Sequence, residues 1–208
     1  GAHRDIHTRK ISIEQLQKRN QSLEALVAER TLELSRVNQQ LQMQLDENRS
    51  LAEQDALTRI ANRYRLEKVL LEECDRAERF RVPLALVAMD IDDFKPINDK
   101  HGHGVGDQTL VSVVDSLETC MRQGDLLARW GGDEFMVILP KSSLDTARQL
   151  AERIRQAIAE MPAVGDFKVT LSLGVVERRM GETPAALMAR ADQALYRSKA
   201  AGKDVASE

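Results

Sequence analysis

Aromatic residues are scarce in this chain of 208: one Trp, two Tyr and four Phe, 3% of the sequence. The core must therefore be mostly aliphatic. Cysteine is just as sparse. Cys74 and Cys120 are too few and too far apart for a disulfide scaffold, so they read as helix-packing thiols in a reduced, cytoplasmic setting. No sign of charge dominates either: 30 Lys and Arg against 33 Asp and Glu leave a net charge of −3. That balance offers no global basic field for nucleic acid. Long hydrophobic runs are missing as well. The longest uncharged apolar run is Leu84–Met89, far short of the roughly 20 residues that span a bilayer. No signal peptide is visible, and the opening Gly-Ala-His reads as the remnant of an added tag, with natural chain expected upstream.

Residues 2–54 hold neither Gly nor Pro and are rich in Gln, Leu, Glu, Arg and Asn. Their heptad has Ile13, Asn20, Val27, Leu34, Leu41 and Asn48 at a, and Leu16, Leu23, Arg30, Val37, Gln44 and Leu51 at d. Eight of those twelve positions are apolar, a stripe narrow enough for a partner helix. An amphipathic helix lying on its own domain is the alternative. Asn at two a positions favours two strands in fixed register. Charges in residues 1–54 balance at 8 basic and 8 acidic, so this is no polybasic tail. A helix over 13–54 would be about 63 Å long. The spacing therefore predicts a coiled-coil stalk over residues 1–54 and a globular domain over 55–208.

The texture changes at Asp55. Thr58 is a candidate cap for a helix running to about Phe80. Pro83 opens the aliphatic run Leu84–Asp90, which reads as a strand buried on both faces. A helix is expected over about 106–121, a hairpin from Leu126–Trp130 and Phe135–Leu139, a helix over 143–160, a strand over 168–176 and a last helix over 183–200. The order α-β-α-β-β-α-β-α means an α/β fold with a small mixed sheet.

Three constellations can carry chemistry. Asp90-Ile91-Asp92-Asp93-Phe94-Lys95 ends an aliphatic strand in carboxylates, a usual way to hold Mg²⁺ together with substrate phosphates. Lys95 can meet a phosphate as a point charge. His101-Gly102-His103-Gly104-Val105-Gly106-Asp107 has three glycines in five residues, which reads as a loop whose backbone N–H groups approach a ligand. Arg129-Trp130-Gly131-Gly132-Asp133-Glu134-Phe135 places two acids at a hairpin tip, directly before a buried strand. Each also has a plainer reading, as a polar strand end, a stray glycine loop or a decorated turn. Trp130 reads as core or rim packing, and His3 and His7 in the tail carry no assigned role.

Together these residues resemble the GGDEF family, the diguanylate cyclases. Gly131-Gly132-Asp133-Glu134-Phe135 stands as the unaltered signature, and Asp90 to Asp107 has the family's Asp, Phe-Lys, Asn-Asp, Gly-His and Gly-Asp spacing. Asp55-Ala56-Leu57-Thr58 with Asn62-Arg63 is similar to its opening motif, and Ala194-Leu195-Tyr196 through Lys199 to Gly202-Lys203 to its closing helix. The likeness covers about residues 55–204. Arg59 departs from it, standing where the family usually has Gly.

The resemblance implies a palm-like α/β domain that condenses two GTP into cyclic di-GMP and releases two pyrophosphates. It implies Asp90, the Ile91 carbonyl and Asp133 as ligands of Mg²⁺ or Mn²⁺, Asp133 as proton acceptor, and Glu134 and Lys95 as further catalytic groups. It implies Asn98 and Asp107 as the guanine readers, and His103, Lys199 and Lys203 as substrate contacts. Arg122-Gln123-Gly124-Asp125, with Asp125 six residues before Gly131, resembles the family's inhibitory site for the product, with Arg153 as an assisting arginine. A surface ion pair is the plainer reading of Arg122 and Asp125.

A two-fold symmetric product requires two domains facing each other, so a homodimer through the stalk is expected. The seam's polar interruptions at Arg30, Gln44 and Asn48 suggest a stalk open to an upstream sensor or regulatory protein. The competing reading is a catalytically silent module that binds GTP or cyclic di-GMP, or a scaffold whose globular part is vestigial.

Overall fold

The computed structural model describes residues 30–44, 52–165 and 167–208. The chain divides into two units, residues 1–50 and 51–208. In the first, residues 30–44 form helix α1. Leu34, Val37 and Leu41 share one face of it at spacings of three and four, and are 64%, 49% and 50% exposed. The heptad residues Ile13, Leu16, Asn20, Leu23, Val27, Asn48 and Leu51 lie outside the described residues.

The second unit is built on strand β1 (Leu84–Ile91), whose every residue is buried. Alternate side chains of a strand point to opposite faces. Ala85, Val87, Met89 and Ile91 therefore enter one core, and Leu84, Leu86 and Ala88 enter the other. That double burial explains why the run carries no alternating polar residue. Helix α2 (Arg63–Phe80) covers the second face with Leu66, Leu70, Cys74 and Ala77. After β1 come α3 (Phe94–His101) and α4 (His103–Cys120). The hairpin β2 (Leu126–Gly131) and β3 (Glu134–Pro140) follows, then α5 (Leu144–Ala159), β4 (Leu171–Glu177), α6 (Pro184–Ala200) and β5 (Ala206–Ser207).

The sheet order is β2-β3-β1-β4-β5. Contacts β2–β3, β3–β1 and β1–β4 are antiparallel, and β4–β5 is parallel. The chain leaves β1, crosses by α4 to the far edge and returns through β3, which inserts between: a split β-α-β arrangement. Helices α4 and α5 pack on one face of the sheet, and α2 and α6 on the other. Against β4, α6 comes close enough that a Cβ on Gly174 would stand 2.3 Å from the Leu195 backbone nitrogen. Cys74 and Cys120 are free and buried, one in each core. No helix among the described residues is long and apolar enough to cross a membrane.

Several local expectations are corrected. Helix α2 is capped by Asn62, whose side chain accepts from the Arg65 amide at 3.1 Å, and not by Thr58. Thr58 instead donates its amide and hydroxyl to Asp55. Helix α3 and strand β5 were not foreshadowed by periodicity, and β4 begins at Leu171 rather than 168. Gly104 and Gly106 lie inside α4, so the glycine-rich stretch is the first turn of a helix and not a loop.

Candidate active site

The antiparallel register of β1 and β3 pairs Asp90 with Glu134 and brings the Gly132-Asp133 turn beside the end of β1. The Ile91 amide donates to the Asp133 carbonyl at 3.2 Å. Asp90 is 7% exposed. Its carboxylate receives the Lys199 ammonium from α6 at 2.7 Å. Burial pushes the Asp90 carboxyl above the usual carboxylate range; Lys199 opposes that rise, and the negative charges of Asp133 and Glu134 add to it. Lys203, just beyond α6, pairs with Asp93 at 2.7 Å. Thus Asp90, Asp133, Glu134, Lys199 and Lys203 gather at one end of the sheet.

This donor set is all oxygen, which suits a hard cation such as Mg²⁺. Among the described residues no group of three or more His, Cys, Asp or Glu side chains converges as a closed cage. Mg²⁺ commonly takes one or two carboxylates and completes its sphere with water and substrate phosphates. The Asp90 and Asp133 carboxylates fit that pattern, and the Lys199 ammonium already shows that Asp90 attracts a cation.

Helices α3 and α4 hold the candidate base readers. The Asn98 side chain lies against Gly106, where a Cβ would stand 1.9 Å from the Asn98 Oδ1. With glycine there the Asn98 side chain can lie alongside the residue preceding Asp107; a Cβ would push that side chain aside. Lys95, His103 and Asp107 are placed on the same two helices, and all three are exposed.

The Arg122 site lies at the other end of the sheet. The Arg122 guanidinium donates to Asp125 at 3.1 Å, to the Pro140 carbonyl at 2.9 Å and to the Ser142 hydroxyl at 2.7 Å. Pro140 faces Leu84, the first residue of β1, so this site and Asp90 are separated by about 20 Å of strand. Arg153 donates to the Cys120 carbonyl at 2.6 Å, which places it at the end of α4 near Arg122.

Arg129 heads the signature, and nothing in the sequence assigned it a role. Its guanidinium donates to the Gly132 carbonyl at 2.9 and 2.7 Å and to Asp55 at 3.0 Å. Burial opposes ionisation of Asp55, but bonds from Thr58 and from Arg129 outweigh it and hold the carboxyl below its usual range. Arg59 follows with φ 63°, a left-handed conformation that costs a non-glycine residue about 1–2 kcal/mol. Its amide bond to the Asp55 carbonyl, 2.9 Å, helps to hold it there. Trp130 packs beneath Arg63, the guanidinium 4.1 Å from its ring. Only spatial proximity reveals the Asp55–Arg129 pair, since 74 residues separate the two.

Residues 52–205 match the family described as Diguanylate cyclase, GGDEF domain. The chain is 44% identical over 165 residues to diguanylate cyclase DgcP of Pseudomonas aeruginosa, covering 77% of this chain and 24% of that protein. It is 39% identical over 153 residues to diguanylate cyclase DgcM of Escherichia coli, covering 74% and 37%. It therefore spans well under half the length of these relatives. Among solved structures it is similar to the coiled coil and GGDEF domain of DgcB from Caulobacter crescentus in complex with c-di-GMP. That likeness has TM-score 0.80 and 34% identity, over 89% of this chain and 98% of that one. Diguanylate cyclase SiaD from Pseudomonas aeruginosa, in complex with its activator SiaC, matches with TM-score 0.71 and 34% identity, over 97% and 86%.

The Asp55–Arg129 pair predicts a stability profile. Asp55 titrates lower in the folded chain than in the unfolded one, so its contribution is complete above about pH 4 and is lost as pH falls through the folded value. Asp55→Asn should destabilise by about 1 kcal/mol at neutral pH. Urea unfolding at a series of pH values should show the gap to wild type closing on the acid side. A gap that stays constant down to about pH 2.5, well below the usual carboxylate range, would rule out the charged pair as its source.

Proposed function

The chain belongs to the GGDEF family of diguanylate cyclases, and on that premise we propose that it condenses two GTP into cyclic di-GMP. In each half-reaction the 3′-oxygen of one GTP attacks the α-phosphorus of the other. A P–O bond forms, the bond to the pyrophosphate breaks, and pyrophosphate leaves; two such steps close the ring. The observation that carries this reading is the meeting of Asp90, Asp133 and Glu134 with Lys199 at the shared end of β1 and β3.

Asp90, Asp133 and the Ile91 carbonyl would hold Mg²⁺ or Mn²⁺. Bound there, the ion supplies charge for the α-phosphate and the departing pyrophosphate. Asp133 accepts the proton of the attacking hydroxyl, with Glu134 as its acidic neighbour. Lys95, Lys199 and Lys203 offset charge on the triphosphate. Asp107 accepts from guanine N1–H and N2–H₂, Asn98 completes the reading of the base edge, and His103 lines the same approach. Asp90→Ala and Asp133→Ala should each lower the rate of cyclic di-GMP formation by about 100-fold or more, with an unchanged circular dichroism spectrum. Near-normal turnover of GTP by either variant at saturating Mg²⁺, followed by chromatography, would sink the assignment.

One domain holds one GTP, so catalysis needs two copies facing each other. Residues 1–54 serve as the dimerising stalk and residues 55–208 as the catalytic domain. The exposed face of Leu34, Val37 and Leu41 supports a second copy as its occupant. A regulatory protein or sensor acting on the stalk fits the same design, as the pairing of SiaD with SiaC illustrates for that relative. Removing residues 1–50 should give a chain whose specific activity rises with protein concentration, while the full chain varies less. Equal, concentration-independent activity of the two would refute the stalk as the dimerising device.

Product feedback is assigned to Arg122, Asp125 and Arg153. Arg122→Ala should raise the cyclic di-GMP concentration for half-inhibition by about tenfold and leave the initial rate unchanged. Identical inhibition of variant and wild type would point to competition at the catalytic end instead.

A further inference from the structure

We propose that Asp92 is a positioning residue for Lys203, acting through the backbone of the turn that carries this lysine. The inference rests on the reading of Lys203 as a contact for the GTP phosphates. Asp92 lies one residue past β1 and is 6% exposed. A buried carboxylate needs its oxygens satisfied by donors. Asp92 accepts from the Thr170 hydroxyl at 2.8 Å, the Ser172 hydroxyl at 2.7 Å and the Asp204 backbone N–H at 3.2 Å. The two hydroxyls come from β4 and the residue before it, and they fix the carboxylate. The third donor lies 112 residues along the chain, in the turn after α6.

That turn is not one the chain adopts unaided. Gly202, Lys203 and Asp204 have φ of 119°, 66° and 48°, so two consecutive residues bearing a Cβ sit in the left-handed region. L-residues disfavour it, and such a conformation persists where the surroundings impose it. Asp92 grips the Asp204 amide, and Arg155 reaches the Asp204 carboxylate at 3.3 Å. The result is the direction of Lys203, whose ammonium arrives 2.7 Å from Asp93 at the catalytic end. The Lys203 and Asp93 side chains are 42% and 60% exposed, and an ion pair that open is too weak to set the turn. Beside the bond from the Lys203 amide to the Ser198 carbonyl and the partly exposed Arg155, Asp92 is the buried anchor of the turn. It spends its charge on holding a loop, while Asp90, two residues earlier, faces Lys199.

The experiment measures binding of a non-hydrolysable GTP analogue and of GMP to the full chain, with Mg²⁺, for wild type, Asp92→Asn, Lys203→Ala and the double variant. Asp92→Asn keeps the shape and loses the charge. It should weaken the analogue about fivefold to tenfold and leave GMP within about twofold. In turnover it should raise KM for GTP with little change in kcat. The double variant should bind no worse than Lys203→Ala alone, because residues acting through one another are not additive. Equal losses for GMP and the analogue, or a double variant as weak as the product of the single effects, would overturn the proposal. Should Asp92→Asn fail to fold, Thr170→Val removes one donor from the carboxylate, and a selective loss of the analogue of about twofold is expected; no selective loss overturns it. If Lys203→Ala leaves analogue binding unchanged, the phosphate reading of Lys203 falls and the inference with it. Hydrogen exchange at the Asp204 amide separates the two failures. It should quicken in Asp92→Asn whatever the nucleotide results, and unchanged exchange would overturn the anchor itself.

Discussion

The Arg129 guanidinium holds two parts of the larger unit, residues 51–208, in one place. It donates twice to the Gly132 carbonyl and once to Asp55. The first pair of bonds shapes the hairpin tip, and the tip sets where Asp133 and Glu134 stand. The bond to Asp55 ties that tip to the loop leading into α2. A loop with a left-handed Arg59 needs such an anchor, because an exposed turn with strain would otherwise relax. Arginine suits this position because its planar fork makes several bonds at once and its charge does not titrate away.

Charge at the catalytic end is balanced within the chain. Asp90, Asp133 and Glu134 repel one another, which adds to the effect of burial in raising the Asp90 carboxyl. Lys199 and Lys203 offset that repulsion from α6 and the turn beyond it. Partly exposed ion pairs are worth about 1 kcal/mol or less. Lysines held so lightly can leave their carboxylates with little loss, whereas the buried Asp92 stays fixed on its hydroxyls. This end of the sheet therefore combines the fixed carboxylate of Asp92 with more loosely held cations.

The rigid sheet also keeps the two candidate sites apart on a small domain. Arg122 and Asp125 meet Pro140 at the start of β1, and Asp90 stands at its end. Every residue between is buried between the two helical layers. The Arg122 and Asp90 ends therefore share no direct contact. Any coupling between them within this chain must pass through the packed strand.

Much of this was legible from the residues alone. The aliphatic run Leu84–Met89 specified a buried strand, the doubled Gly131-Gly132 specified the hairpin, and Ser143 and Thr183 marked two helix starts. These are local signals, carried by neighbours within a few residues. The candidate chemistry was legible too, because its carboxylates and lysines sit in compact motifs. Tertiary structure decided the rest. Helix α3 contains Pro96 and a polar stretch, and it forms because Ile97 is buried and Asn98 fits onto Gly106. Asn62 caps α2 because the helix begins only at Arg63, and Thr58, five residues earlier, bonds Asp55 instead. Gly174 serves contact with α6, not a turn. The bonds from Arg129 to Asp55 and from Asp92 to Asp204 span 74 and 112 residues. Local pattern reports periodicity and turn chemistry, but a hydrogen bond between distant residues exists only once the sheet has brought them together.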